Sequence, residues 1–148
     1  MNFFKAILFL IRNFLYAIRK FYFDIFFVPF DVSRPLPKKS FEYFKQIILI
    51  LNSLNIEYFV TDGTILGLYR DEKFIEHDND IDIALVDNKK LFKLFLFLIT
   101  NGWIPMRLLI KDFHVYQLIF HKQKVVLDFC NWKRECEVIK FKAPEIPG

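Results

Sequence analysis

Two acids one residue apart, Asp80 and Asp82, and a Gly63-Thr64 pair upstream of them are the residues best placed to do chemistry in this chain. Ile81 to Val86 reads as a strand entered through the acids, so Asp80 and Asp82 leave one face and can share a cation. Carboxylates that close repel each other unless a cation neutralises them. Oxygen ligands of this kind suit Mg2+ or Mn2+, which usually also hold substrate phosphates. Ile56 to Val60 reads as an earlier strand, and Gly63-Thr64 as the turn that starts a helix. Gly63 permits close backbone approach, Thr64 adds a hydroxyl, and the N–H groups of a helix start bind anions. A third acid, Asp128, stands alone among apolar neighbours in Lys124 to Cys130, a late strand. A buried carboxylate without a partner is costly, which places Asp128 on a metal, on a hydrogen bond or in its protonated form. A phosphate cradle plus an acidic clamp points to phosphoryl or nucleotidyl transfer.

Taken together, Gly-Thr, the Asp-x-Asp strand and the later lone acid resemble the signature of the nucleotidyltransferase superfamily. Within it, the run from Asp62 through Gly63, Thr64 and Gly67 to Arg70, and the run from Lys73 to Ile83, resemble the LicD/fukutin family. Glu76 and His77 stand where Pro and Trp are usual in that family, and Asn79 also departs. The resemblance covers roughly residues 41 to 148. It implies an α/β fold with a small mixed sheet flanked by helices. It also implies transfer of a phospho-alcohol unit, such as phosphocholine, from a CDP-linked alcohol donor to a glycan acceptor. In that reading Asp80 and Asp82 hold the cation, and Asp128 ligates a second one or takes the acceptor's proton. Gly63 and Thr64 cradle phosphates. Arg70 adds a bidentate phosphate contact or forms a surface ion pair with Asp71 or Glu72. Ala143 to Gly148 falls where the resemblance implies a further segment over the site. The expectation is a truncated or minimal member with a half-open site and reduced or no activity.

The elements that must position these groups follow from pattern. Residues 2 to 28 fit one amphipathic helix: Asn2, Lys5, Arg12, Asn13, Arg19, Lys20 and Asp24 share an arc of roughly 140°. The rest of the wheel is apolar and rich in Phe. No run reaches the ~18 uncharged residues of a spanning helix, and no signal-peptide cleavage site follows. A basic stripe opposite a wide aromatic face predicts contact with an anionic membrane surface at its cytoplasmic face; docking on the chain's own domain fits the same wheel. Residues 1–30 are thus read as a membrane-surface helix, 31–40 as a Pro-containing linker and 41–148 as the catalytic domain. Ser40 is the expected N-cap of a helix from Phe41 to Leu54, and a short helix is expected from Ile65 to Tyr69. A fourth helix from Lys89 to Thr100 closes at Asn101-Gly102. Strands are expected over 103–110, 113–120, 124–130 and 135–142.

Composition excludes other classes. With 148 residues the chain allows one modest core, and 54% apolar content with a mean hydropathy of +0.25 is high for a soluble domain. Net charge is +4 without a basic run interleaved with exposed aromatics, which argues against nucleic acid. Cys130 and Cys136 are too few for a disulfide framework and lack a zinc partner set. A calcium loop starting at Asp78 would need Gly and Glu where Ile83 and Lys89 stand. His77, His114 and His121 share no zinc spacing. A metal-dependent glycosyltransferase is the rival enzyme reading, since it also binds a nucleotide diphosphate through Asp-x-Asp, but it does not require the Gly-Thr turn or the later acid. A non-catalytic, membrane-associated remnant of the fold is the other rival.

Overall fold

The computed structural model describes residues 23–26, 35–86, 88–111, 114–135 and 138–140. A mixed sheet forms its centre, from β1 (Phe23–Phe26), β2 (Glu57–Val60), β3 (Ile81–Val86), β4 (Ile104–Lys111), β5 (His114–Lys122) and β6 (Val125–Glu135). The strand order is β1-β4-β5-β6-β3-β2, and a short β7 (Val138–Lys140) pairs with the end of β6. Among the described residues only β3 and β6 run parallel; every other pairing is antiparallel. Three helices among the described residues accompany the sheet: α1 (Ser40–Ser53), α2 (Asp62–Asp71) and α3 (Leu91–Thr100), with a 3-10 turn at Asn88–Lys90 before α3.

Alternation along β3 and β6 divides the sheet into two chemically different faces. Ile81, Ile83 and Leu85 of β3 and Leu127 and Phe129 of β6 join one core with Ile47 and Leu51 of α1 and Leu91, Leu94 and Leu98 of α3. The intervening residues, Asp82 and Asp128, therefore leave from the face that α1 and α3 do not cover. A smaller cluster of Met106, Ile119 and Val126 lies apart from the main core.

The turns carry their own chemistry. Trp103 N–H returns to the Leu98 carbonyl at 3.0 Å while Gly102 takes φ of 78°, the left-handed helix stop expected at Asn101-Gly102. Gln123 and Lys124 both have positive φ, the twist a two-residue hairpin demands, so β5 runs on through Lys122 instead of turning at His121.

Several expectations are corrected. Phe23–Phe26 pairs antiparallel with β4, so the helix expected over 2–28 does not hold there. A short aromatic run satisfies either period, and an open strand edge offers it a full set of backbone partners. Residues 1–22 and 27–34 lie outside the described residues. Ser40 is the first residue of α1 rather than its cap: Lys39 is the N-cap, and the Ser40 hydroxyl donates to the Pro37 carbonyl at 2.7 Å. The short helix expected over 65–69 is a full α2 from Asp62 to Asp71, closed by Glu72 at φ of 54°. The strand expected over 135–142 divides into the end of β6 and β7.

Candidate active site

The parallel pairing of β3 and β6 sets Asp82 directly opposite Asp128. Asp80 stands one residue before β3 begins, not on the strand itself, yet it completes the cluster. One carboxylate oxygen from each of Asp80, Asp82 and Asp128 lies within 4.8 Å of the others. Three hard oxygen donors at that spacing form a set that could hold a divalent cation. Among the described residues it is the one His/Cys/Asp/Glu group so arranged, and none of the three histidines enters it.

The electrostatics agree with a site built for positive charge. Burial, then the charges of Asp80, Asp128, Asp62 and Asp78, push the Asp82 carboxyl up to about 7. Burial raises Asp128 to about 6, with the charge of Asp80 adding to it. Asp80 is raised by burial first and then by Asp78 and Asp62. Besides the Cys130 thiol, two contacts act the other way on Asp128: the Gln117 amide donates to its Oδ2 at 2.6 Å, and the charge of Arg107 favours the anion. Both come from the sheet. Gln117 pairs with Cys130, while Ile119 faces Asp128 and Arg107 faces Ile119, so Arg107 lies in the same row of the sheet as Asp128 and Asp82. Cys130 is a free thiol whose Sγ lies 3.8 Å from Asp128 Oδ1. Burial and the neighbouring acids raise its pKa, so it stays a thiol rather than a nucleophile.

Thr64 and Gly63 have different work from that expected. Thr64 is fully buried and its Oγ1 accepts the backbone N–H of Asp82 at 2.8 Å. Its hydroxyl positions the acidic strand and does not face solvent as a phosphate ligand. A Cβ on Gly63 would collide with the Asp78 carboxylate. Gly63 thus allows a close approach, and the group brought to the start of α2 is the Asp78 side chain. The Oδ2 of Asp78 is buried without a hydrogen-bond partner, Oδ1 accepts from Asn79 N–H at 3.1 Å, and its backbone carbonyl accepts from Leu36 N–H at 2.8 Å. The start of α2 is thus covered by the Asp78 side chain, whose Oδ2 receives no hydrogen bond there.

Arg70 stands near the other end of α2, about 12 Å along the helix axis from Asp62 at 1.5 Å per residue. Its Nε and Nη2 both donate to Asp71 Oδ2, at 2.9 and 2.7 Å, in an exposed ion pair. Of the two roles open to Arg70, the surface pair is the one the structure shows. Sequence reasoning passed over four contributors: Asp62, Asp78, Gln117 and Arg107. The Asp78 to Asp82 run carried a signal for Asp78, which was weighed only as a calcium loop. Nothing short of the strand register could have found Gln117 or Arg107.

With this geometry in view, a comparison with protein families is informative. The model of the LicD/FKTN/FKRP nucleotidyltransferase domain matches residues 55–143, which includes Asp80, Asp82 and Asp128. That is more than half of the chain, and the chain belongs to this family. No curated protein matches it.

Proposed function

We propose that this member of the LicD family is a metal-dependent phosphotransferase. It would move a phospho-alcohol unit, phosphocholine or a similar group, from a CDP-activated donor to a hydroxyl of a cell-surface glycan. Family membership supports a transferase, and the observation that carries the finer reading is the β3–β6 register that gathers Asp80, Asp82 and Asp128. Mg2+ or Mn2+ held there would neutralise the donor's diphosphate and the charge that develops during displacement.

The residues divide the work. Asp80 and Asp82 are assigned to the cation. Asp128 is assigned to the acceptor's proton, because Gln117 holds one of its oxygens and burial has brought its carboxyl to about 6, a base near neutral pH. The acceptor oxygen forms the new bond to phosphorus as the bond to CMP breaks; the proton passes to Asp128 and CMP leaves as the anion. Thr64 keeps Asp82 in register through its bond to the Asp82 N–H. The basic, Phe-rich segment before β1 supports a peripheral position on the cytoplasmic face of the membrane. Among the described residues no helix is long and apolar enough to cross a bilayer.

Calorimetry of the full chain with CDP-choline tests the reading. Binding in Mg2+ that disappears in EDTA and exceeds that of a UDP-sugar is the expected result. Tighter binding of the UDP-sugar moves the protein to the glycosyltransferases, and binding of neither makes it a remnant of the fold.

A further inference from the structure

Helix α3, Leu91-Phe-Lys-Leu-Phe-Leu-Phe-Leu-Ile-Thr100, is apolar on nearly every side, yet it buries only one. Leu91, Leu94 and Leu98 pack into the main core. Phe92, Leu96 and Ile99 are 72%, 46% and 41% exposed, and their spacing of four and three residues lines them along the outer face. Phe97 lies beside them at 36%, and Ile104 at the start of β4 is 47% exposed. A helix apolar all round normally sits inside a protein. A contiguous apolar surface left in water marks a contact with something else.

Charge identifies the occupant. From Asn88 to Lys111 the sequence holds no Asp or Glu. Lysines 89, 90 and 93 cluster at the N-terminal end of α3; Lys90 Nζ donates to the Asn55 carbonyl at 2.7 Å, while Lys89 and Lys93 are exposed. An aromatic and aliphatic face with exposed lysines at its N-terminal end complements a surface that is anionic above and apolar beneath, which describes an anionic bilayer. Long lysine stems reach up to headgroups while their neighbours enter the acyl boundary.

We propose that the outer face of α3 docks on anionic lipid, making a membrane contact separate from the segment before β1. The consequence for function is orientation. Leu94 and Leu98 of α3 share the core with Ile81 and Ile83, and Asp82 and Asp128 leave β3 and β6 on the other side. Docking through α3 therefore turns the acidic cluster away from the lipid and toward the aqueous side, where a glycan acceptor would meet it.

The test uses full-length F92W, since position 92 is exposed and the substitution leaves the core untouched. Vesicles of phosphatidylglycerol carry brominated acyl chains, and the wild type, with Trp103 and Trp132, supplies the background. The expected result is a blue-shifted, bromine-quenched emission from the introduced indole, weaker on phosphatidylcholine vesicles. Removing the charges of Lys89 and Lys93 by substitution to Gln lowers partition about fivefold for each lysine. Vesicle binding without quenching at position 92 overturns the proposal, since the contact then lies elsewhere in the chain. A blue shift without quenching that tracks protein concentration overturns it in favour of self-association, and failure to bind either vesicle overturns it outright. The readout does not depend on nucleotide binding, so it stands or falls apart from the transferase reading.

Discussion

Replacing Asp82 with Asn should make the metal-free protein more stable at alkaline pH, and the size of the gain follows from the structure. Asp82 is half-buried and faces Asp128 across the β3–β6 pair with Asp80 beside it. Its carboxyl therefore titrates at about 7 instead of 3.8. The folded state holds this proton more tightly than the unfolded one does. The group thus costs nothing below the unfolded value, and stability is lost progressively as pH rises from about 4 through about 7. At full value that rise corresponds to roughly 4 kcal/mol; solvent screening of a half-buried side chain reduces it to roughly 2 kcal/mol. Asn keeps the shape and removes the ionisation. In EDTA at pH 8, D82N should melt about 4–8 °C above the wild type, and at pH 4 the two should coincide. Mg2+ then reverses the order: the wild type gains about 2.7 kcal/mol at a hundredfold excess over the dissociation constant, whereas D82N gains little and no longer binds a CDP-linked alcohol. Thermal denaturation across pH 4 to 8.5, with and without Mg2+, reads both effects. A D82N protein no more stable than wild type in EDTA at pH 8 would refute the repulsive cluster, and an unchanged Mg2+ response would refute the metal assignment.

Three other substitutions separate positioning from binding. T64V leaves the Asp82 N–H without its acceptor and should cost about 1–3 kcal/mol in urea unfolding, while T64S, which keeps the hydroxyl, should recover most of that and the Mg2+ affinity as well. Q117L removes the donor that holds the Asp128 pKa down, so the pH at which Mg2+ begins to stabilise the protein should move upward; a midpoint that moves downward or stays put contradicts this role for Gln117. R70A breaks only the exposed pair with Asp71. It should leave Mg2+ and nucleotide affinity unchanged by calorimetry, and a marked loss would return Arg70 to the phosphate site.

The acidic cluster was legible because each acid breaks an apolar strand pattern. Asp82 alternates with Ile81 and Ile83, and Asp128 interrupts Val125 to Phe129, so a carboxylate must leave each strand on the face opposite the core. Their meeting was legible only through the family resemblance, since in the strand pattern alone nothing shows β6 lying parallel beside β3 after two intervening strands. The roles of Thr64 and Gly63 were misread for a related reason. Sequence shows a hydroxyl and a missing Cβ at a helix start, but not that Asp82 N–H and the Asp78 carboxylate are the groups that come against them. The strand at Phe23–Phe26 was read as helix because aromatic runs satisfy both periods and the edge that pairs with them, β4, lies far along the chain.

The distribution of charge imposes an order on binding. The chain carries a net charge of +4, yet Asp62, Asp78, Asp80 and Asp128 all act on Asp82 with the same negative sign. A donor diphosphate approaching these acids alone would add repulsion to repulsion. The N-terminus of α2, a backbone element able to attract an anion, already has the Asp78 carboxylate against Gly63. In the proposed reaction nucleotide would follow the cation, and a phosphate reaching α2 would displace Asp78, which loses the bond its Oδ1 accepts from Asn79 N–H but none at Oδ2. The same acids that make the metal-free protein less stable would, in that reaction, make nucleotide binding conditional on the cation.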